Sequence, residues 1–396
     1  MRSIVILREM LGEGFSFLHA KRQSAIWRGV EAVARGGRLW LTALGRDMSG
    51  PAKEKHRIKA ADRLLGNRAI HAEPNRIYSA IACWLMRGMT RPVILVDWTG
   101  CGPDRYLLRA GLPIGGRSIL LHARVVSKRK LSNHDVHDDF LDDLARIVPT
   151  YCRPIIVTDA GFYYRWIDKV SSLNWDFVAR LRGHLYIKTG DREESISETF
   201  QRAGKYAKDL GECLVGTNNQ RTRRLVLASK RKSKGRTRLN QKGIPRRTTE
   251  ALQCAKAARE PWLLATSLTC SAAKVVATYA RRMQIEEAFR DLKSPRFGWA
   301  FEYVTSKNPS RTEVLLMIAT LASLAIIAVG AAAESQRLQV QFQANTTRKR
   351  RVLSWTFLGR RIIETAIAIS DAAIRRGLAA LRAALRASSP MPLAPI

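Results

Sequence analysis

Hydrophobic and polar positions follow a helical period through the first 88 residues, and the spacing predicts helices over 17–35, 53–67 and 74–87. At Arg91 the pattern changes. RPVILVDWTG is an apolar run bounded by Pro92 and Gly100, which reads as a buried strand ending in Asp97. YLLRAGLPIGGRSILLHARVV supplies two more strands around a Pro/Gly turn, a helix follows from His137 to Ile147, and PIIVTDAGF is a second buried strand, ending in Asp159. YYRWIDKVSSLN then reads as a helix and WDFVARLRG as a strand. Three antiparallel strands followed by alternating helix and strand predict an α/β fold, a mixed sheet with helices on both faces.

Between about Gly183 and Glu260 the register is lost, and Arg221 to Thr249 is a run of arginines and lysines without a single acid. Charge this dense reads as a solvated loop, one that can become ordered on DNA. EPWLLATSL restores a strand, and TYARRMQIEEAFRDLKS, from Thr278 to Ser294, reads as one helix that Pro295 stops. At about 100° per residue, Tyr279, Arg282, Glu286 and Lys293 fall within about 60° of one another, while Ile285, Phe289 and Leu292 form the adjacent buried stripe. The bland alternative is a solvated charged face. From Val314 to Ala333 there is no charge, which on length alone qualifies as a membrane span. Its alanine and glycine content, and the lack of a second span, predict a buried core helix instead. A basic segment ending at Arg351 and a helical region through Ala387 follow, and SSPMPLAPI is expected to fray.

Composition sharpens the picture. With 396 residues, 46% of them hydrophobic, the chain can bury a sizeable core. Lys and Arg number 68 against 33 Asp and Glu, a net charge of +35, which is the footprint of a polyanion-binding protein. Nucleic acid is the first partner this implies; the charge is too evenly spread for a single membrane-surface helix. In the N-terminal part, Lys55, Arg57, Lys59 and Arg63 lie beside apolar Ile58, Leu64 and Leu65, so a helix here can lay a basic face on phosphates. The six cysteines show no CxxC spacing, which argues against a zinc module or a disulfide framework and fits a reducing cytoplasm. The apolar run before Arg8 and Glu9 is too short for a secretory signal.

An unpaired carboxylate at the end of a buried strand costs several kcal/mol unless something binds it. Asp97, Asp159 and Glu286 together form the ligand set that hard divalent cations want, and two such ions about 3.5–4 Å apart can hold the attacking and leaving oxygens of a phosphoryl transfer. Tyr279, Arg282 and Lys293 would then face the phosphate chain. His134, Asp135, His137 and Asp138 are a weaker metal candidate, because an Asn/Asp-rich helix start accounts for them. Glu287 lies about 100° off the shared face and reads as structural.

VDWTG around Asp97, VTDAGF around Asp159 and the Y-x2-R-x3-E-x6-K spacing at Tyr279, Arg282, Glu286 and Lys293 resemble the DDE transposases of bacterial insertion sequences, specifically the insertion-sequence-four type. KHRIKAADRLLGN and PWLLATS extend the resemblance over most of the chain. It implies an RNase H-like fold interrupted by a β-rich insertion, and the 127 positions from Asp159 to Glu286 leave room for one. The implied organisation is a helical DNA-end-binding domain over 1–88, the RNase H-like core over 89–182, and a basic β-rich insertion over 183–260. The end of the insertion and the second part of the core follow over 261–310, and a helical C-terminal region used in pairing protomers over 311–396.

The implied activity is metal-dependent cleavage and strand transfer at inverted-repeat ends. Asp97, Asp159 and Glu286 would hold two Mg²⁺ or Mn²⁺ ions, and Tyr279, Arg282 and Lys293 would grip phosphates. Trp262 would stack on a flipped base, unless it is a core aromatic of the insertion. Transposon ends and target DNA are the implied partners, with a second copy of the chain in the synaptic complex, in the cytoplasm on the nucleoid and with no membrane. A metal-dependent nuclease that cleaves without joining, or a silent DNA-binding inhibitor, are the alternatives.

Overall fold

The helix-period stretches at the start of the chain fold as α1 (Arg2–Leu11), α2 (Ala20–Gly36), α3 (Leu41–Asp47), α4 (Glu54–Leu65), α5 (Arg68–His71) and α6 (Pro74–Met86). Strands β1 (Val93–Gly100), β2 (Arg105–Ile114) and β3 (Arg117–Ser127) follow, then α7 (His134–Ile147), β4 (Ile155–Thr158), α8 (Tyr164–Ser172) and β5 (Asp176–Leu181). The next elements are β6 (Tyr186–Thr189), β7 (Arg192–Ser195), α9 (Ile196–Gln201), β8 (Lys208–Val215), β9 (Arg221–Ala228) and β10 (Trp262–Thr266). The chain continues through α10 (Ala272–Ala280), α11 (Met283–Lys293), α12 (Pro309–Ser335), α13 (Trp355–Glu364) and α14 (Asp371–Ala387). This computed structural model describes residues 1–388 other than 163, 217–219, 230–243, 246–247, 250–251, 253–254, 256–259, 297, 345 and 348–349.

The described chain divides into two compact units, Met1–Pro154 with Arg281–Ile396, and Ile155–Ala280. In the first, β1, β2 and β3 form consecutive antiparallel pairs, with Asp97 opposite Arg109. The amphipathic α11 buries Ile285, Ala288, Phe289 and Leu292 against these three strands. Behind them runs α12, opened by Pro309 and capped by the Asn308 side chain, which accepts from Ser310 N. Its most apolar window has a mean hydropathy of 2.6, and 94% of that window is buried, so the uncharged stretch is core. It packs on α2, α13, α14 and β3. Two of those crossings bring backbone against backbone: a Cβ on Gly359 would sit 2.0 Å from Ile326 O, and one on Gly377 2.2 Å from Ala328 O. Only glycine fits there.

In the second unit, β4 and β5 are parallel and joined by α8, whose Trp166, Ile167 and Val170 are buried. The order continues from β5 through β10, β9 and β8 to β6 and β7, all antiparallel. This corrects the expectation of a loop from Arg221 onward. The LVLA at Leu225–Ala228 is buried, and β9 is paired on both edges, so ladder hydrogen bonds and apolar burial outweigh the charge of its first half. Most of the remaining basic run, Arg348 and Lys349, and the last eight residues of the expected frayed tail lie outside the described residues.

Candidate active site

The helix expected over 278–294 is two helices. α10 ends at Ala280 and α11 begins at Met283, and between them Gln284 N donates to Arg281 O (2.8 Å) and Ile285 N to Arg282 O (3.1 Å), a tightened turn. No glycine or proline breaks it; the two arginines are instead drawn into tertiary bonds. Arg281 donates to Ser388 O, and Arg282 reaches two carboxylates. Tyr279 therefore does not share a helix with Arg282, Glu286 and Lys293.

In the first unit the structure brings Asp97, Arg282 and Glu286 together. Arg282 Nη1 donates to Asp97 Oδ2 at 2.8 Å, and its Nη2 donates to Glu286 Oε1. The guanidinium and the Asp97 carboxylate are each 12% exposed, and the Glu286 side chain 34%. Asp97 Oδ1 accepts from Trp98 N at 2.8 Å, and the Trp98 indole N–H donates to His137 Nε2 at 3.2 Å. Burial, with His134 adding to it, lowers the His137 pKa to about 4, so the ring is neutral and can accept that bond. α7, on which His137 lies, starts with the Asn133 side chain accepting from Val136 N, a helix cap where a second metal site was the weaker alternative.

The position of α11 is fixed from the β2–β3 turn: Gly116 N donates to Gln284 Oε1 (3.2 Å) and Arg117 pairs with Asp291 (2.5 Å). Glu287 pairs with Arg290 on the outer face. Lys293 is half-buried at the end of α11, and burial pulls its pKa down against the attraction of Glu302 and Cys101. In the N-terminal helices, Lys55, Lys59 and Arg63 are exposed, whereas Arg57 is half-buried and donates to Met48 O at 3.2 Å.

In the second unit Asp159 follows β4, and its Oδ1 accepts from Gly161 N at 2.8 Å, closing the turn. It lines a cavity of 650 Å³ together with Tyr164, Arg180, Arg182, Arg221 and Arg223. Glu260 pairs with Arg182 (2.7 Å), and Asp168 with Arg221 (3.3 Å) and Arg223. Sequence reading missed this cationic lining. The signal was an i, i+2 spacing of arginines on strands, which places Arg221 and Arg223 on one face. Trp262 and Tyr279 pack edge to face with centroids 4.9 Å apart, Trp262 half-buried and Tyr279 2% exposed.

Among the described residues no three His, Cys, Asp or Glu side chains are grouped to hold a metal. Asp97 and Glu286 are grouped on a cation all the same, the Arg282 guanidinium, and their donor atoms are the hard anionic oxygens that suit Mg²⁺ or Mn²⁺. Residues 88–325, more than half of the chain, match the family model of the transposase DDE domain. The chain belongs to the DDE transposases. Its mixed α/β architecture is that of the family, and so is an activity on DNA that depends on divalent metal ions. No curated protein matches the transposase chain.

Proposed function

We propose that this transposase is of the insertion-sequence-four type, binding inverted-repeat ends and moving the DNA between them by cleavage followed by strand transfer. The observation that carries the reading is the pair of acids, one from within strand β1 and one from helix α11, held on a single cation at Arg282. Asp97, Asp159 and Glu286 are the metal ligands of this reading. Two Mg²⁺ or Mn²⁺ ions held by them would activate water for cleavage and later the 3′-hydroxyl that attacks target DNA. Arg282 and Lys293 bind phosphate oxygens next to the scissile bond. Burial lowers the Lys293 pKa, which supports this role, because a phosphate adds countercharge that favours the half-buried ammonium. Tyr279 orients the Trp262 ring against which it packs, and Trp262 receives an extruded base.

The exposed Lys55, Lys59 and Arg63 on α4 contact the DNA end. Residues 1–88 form the end-binding domain and 183–260 the basic insertion, while 311–396 pair two protomers in the synaptic complex. Cytoplasmic residence on the nucleoid follows from the DNA substrate.

The test is incubation with paired terminal-repeat duplexes and Mg²⁺, followed by separation of cleaved and joined products. Asp97→Ala, Asp159→Ala and Glu286→Ala should each lose cleavage and keep end binding, and Glu287→Ala should keep both. Cleavage without joining would make the protein a nuclease. Activity in Glu286→Ala together with its loss in Glu287→Ala would overturn the assignment of the acids.

A further inference from the structure

We propose that Arg282 is an internal counter-cation: in the DNA-free protein it fills the place between Asp97 and Glu286 and keeps divalent metal out until a DNA phosphate draws the guanidinium away. The inference rests on the reading of Asp97 and Glu286 as metal ligands and adds an order of events to it.

The geometry is specific. One guanidinium spans two carboxylates that are 185 and 4 positions from it in sequence, using a different amino group for each. Both oxygens of Asp97 are thereby engaged, Oδ2 by Arg282 and Oδ1 by Trp98 N. A metal can take Oδ2 from Arg282 only by displacing it. Burial makes that contest stiff, because the guanidinium and the Asp97 carboxylate are each only 12% exposed.

The backbone position of Arg282 points the same way. It is the N-cap of α11, with no side-chain cap bond. The N–H groups of Gln284 and Ile285 are already taken by the carbonyls of Arg281 and Arg282, but the arginine's charge stands at the positive end of the helix dipole. That placement is unfavourable, and the two carboxylates offset it. Once a dication neutralises those carboxylates, nothing in the pair of acids holds the guanidinium, and an anionic phosphate becomes its better partner. Counted over these groups, one positive and two negative charges sum to a net negative site before the exchange. Afterwards the dication balances the two acids, and the guanidinium balances one phosphate. DNA arrival and metal entry are thus coupled through one side chain.

The experiment measures Mn²⁺ affinity of the full chain without DNA, by electron paramagnetic resonance of the free ion. Wild type should bind weakly. Arg282→Gln should bind at least tenfold more tightly, Arg282→Lys should show a smaller gain because an ammonium cannot fork to both acids, and Asp97→Asn/Arg282→Gln should lose the gain. A short duplex should raise the affinity of wild type and leave that of Arg282→Gln unchanged. If Arg282→Gln does not fold, Arg282→Lys decides: no gain overturns the proposal, as does equal or weaker binding by a folded Arg282→Gln. A residue that merely braces the fold would lower metal affinity when replaced. The reading underneath fails separately, by cleavage that survives Asp97→Asn and Glu286→Gln.

Discussion

Asp97 and Glu286 share one arginine but not one environment, and the difference predicts that stability and activity separate. Asp97→Asn leaves Trp98 N an amide oxygen to donate to, but it turns an ionic acceptor 12% exposed into a neutral one facing a buried guanidinium. Hydrogen bonds to charged groups contribute about 1.5–3 kcal/mol, and that is the expected loss. Glu286→Gln alters a side chain 34% exposed, where water screens and replaces the partner, so the cost is about 0–1 kcal/mol. Both variants should lose end cleavage, because each removes an anionic oxygen from the metal-binding set. Urea unfolding followed by tryptophan emission, with cleavage assayed on the same preparations, checks both halves. The variants should differ in unfolding free energy by about 1–2 kcal/mol, with Asp97→Asn the weaker. Equal midpoints, or Glu286→Gln the less stable, would refute the burial argument; cleavage by either would refute the chemical one.

Trp262→Ala should spare first nicking and slow the step that needs an unpaired nucleotide by about one to two orders of magnitude, the value of about 1–3 kcal/mol of base stacking; a pre-opened duplex should rescue it, and loss of nicking together with folding would instead mark the ring as core. Binding to unrelated duplex should weaken with salt at a slope of about −0.9 per phosphate contacted, and a flat titration would remove the nucleic-acid reading. Burial beside Arg124 pushes the His122 pKa down from 6.5 to about 3, so between these values the unfolded chain binds a proton that the folded one refuses. Stability should fall as pH drops through that window, by up to about 5 kcal/mol at 1.36 kcal/mol per pH unit, and His122→Leu should flatten the fall. An unchanged slope would show that the imidazole protonates without unfolding.

The two aspartates were legible because apolar runs that stop at an acid are rare, and β1 and β4 lie where the runs of Val, Ile and Leu put them; β1 does not end at Asp97 as expected, because its pairing with β2 carries it on to Gly100. The core helix was legible for the same reason, an uncharged stretch with no second span. Helical spacing failed at Arg281 and Arg282, since both are good helix formers and only bonds to Ser388 and Asp97, over a hundred positions away, turn the chain there. β9 escaped for a related reason. A count of arginines weighs every residue alike, whereas four buried residues and two paired edges settle the conformation. The link from His137 through the Trp98 indole and backbone N–H to the Asp97 carboxylate could not be read from spacing, because it depends on how α7 sits against the strand.

The glycine crossings on α12 have a consequence for how the protein is made. Synthesis is vectorial, and α13 and α14, which lie against α12 at Gly359 and Gly377, leave the ribosome after it. At about 5–20 residues per second, the interval between the end of α12 and the end of α14 is several seconds. For that time a 27-residue helix, holding a window with the hydropathy of a membrane span, can pack on α2 and β3 but lacks the cover that α13 and α14 supply. It is the kind of sequence that targeting factors and chaperones bind. A copy of the gene interrupted after α12 would thus encode a product that aggregates or is degraded, rather than a truncated binder competing for the same DNA ends.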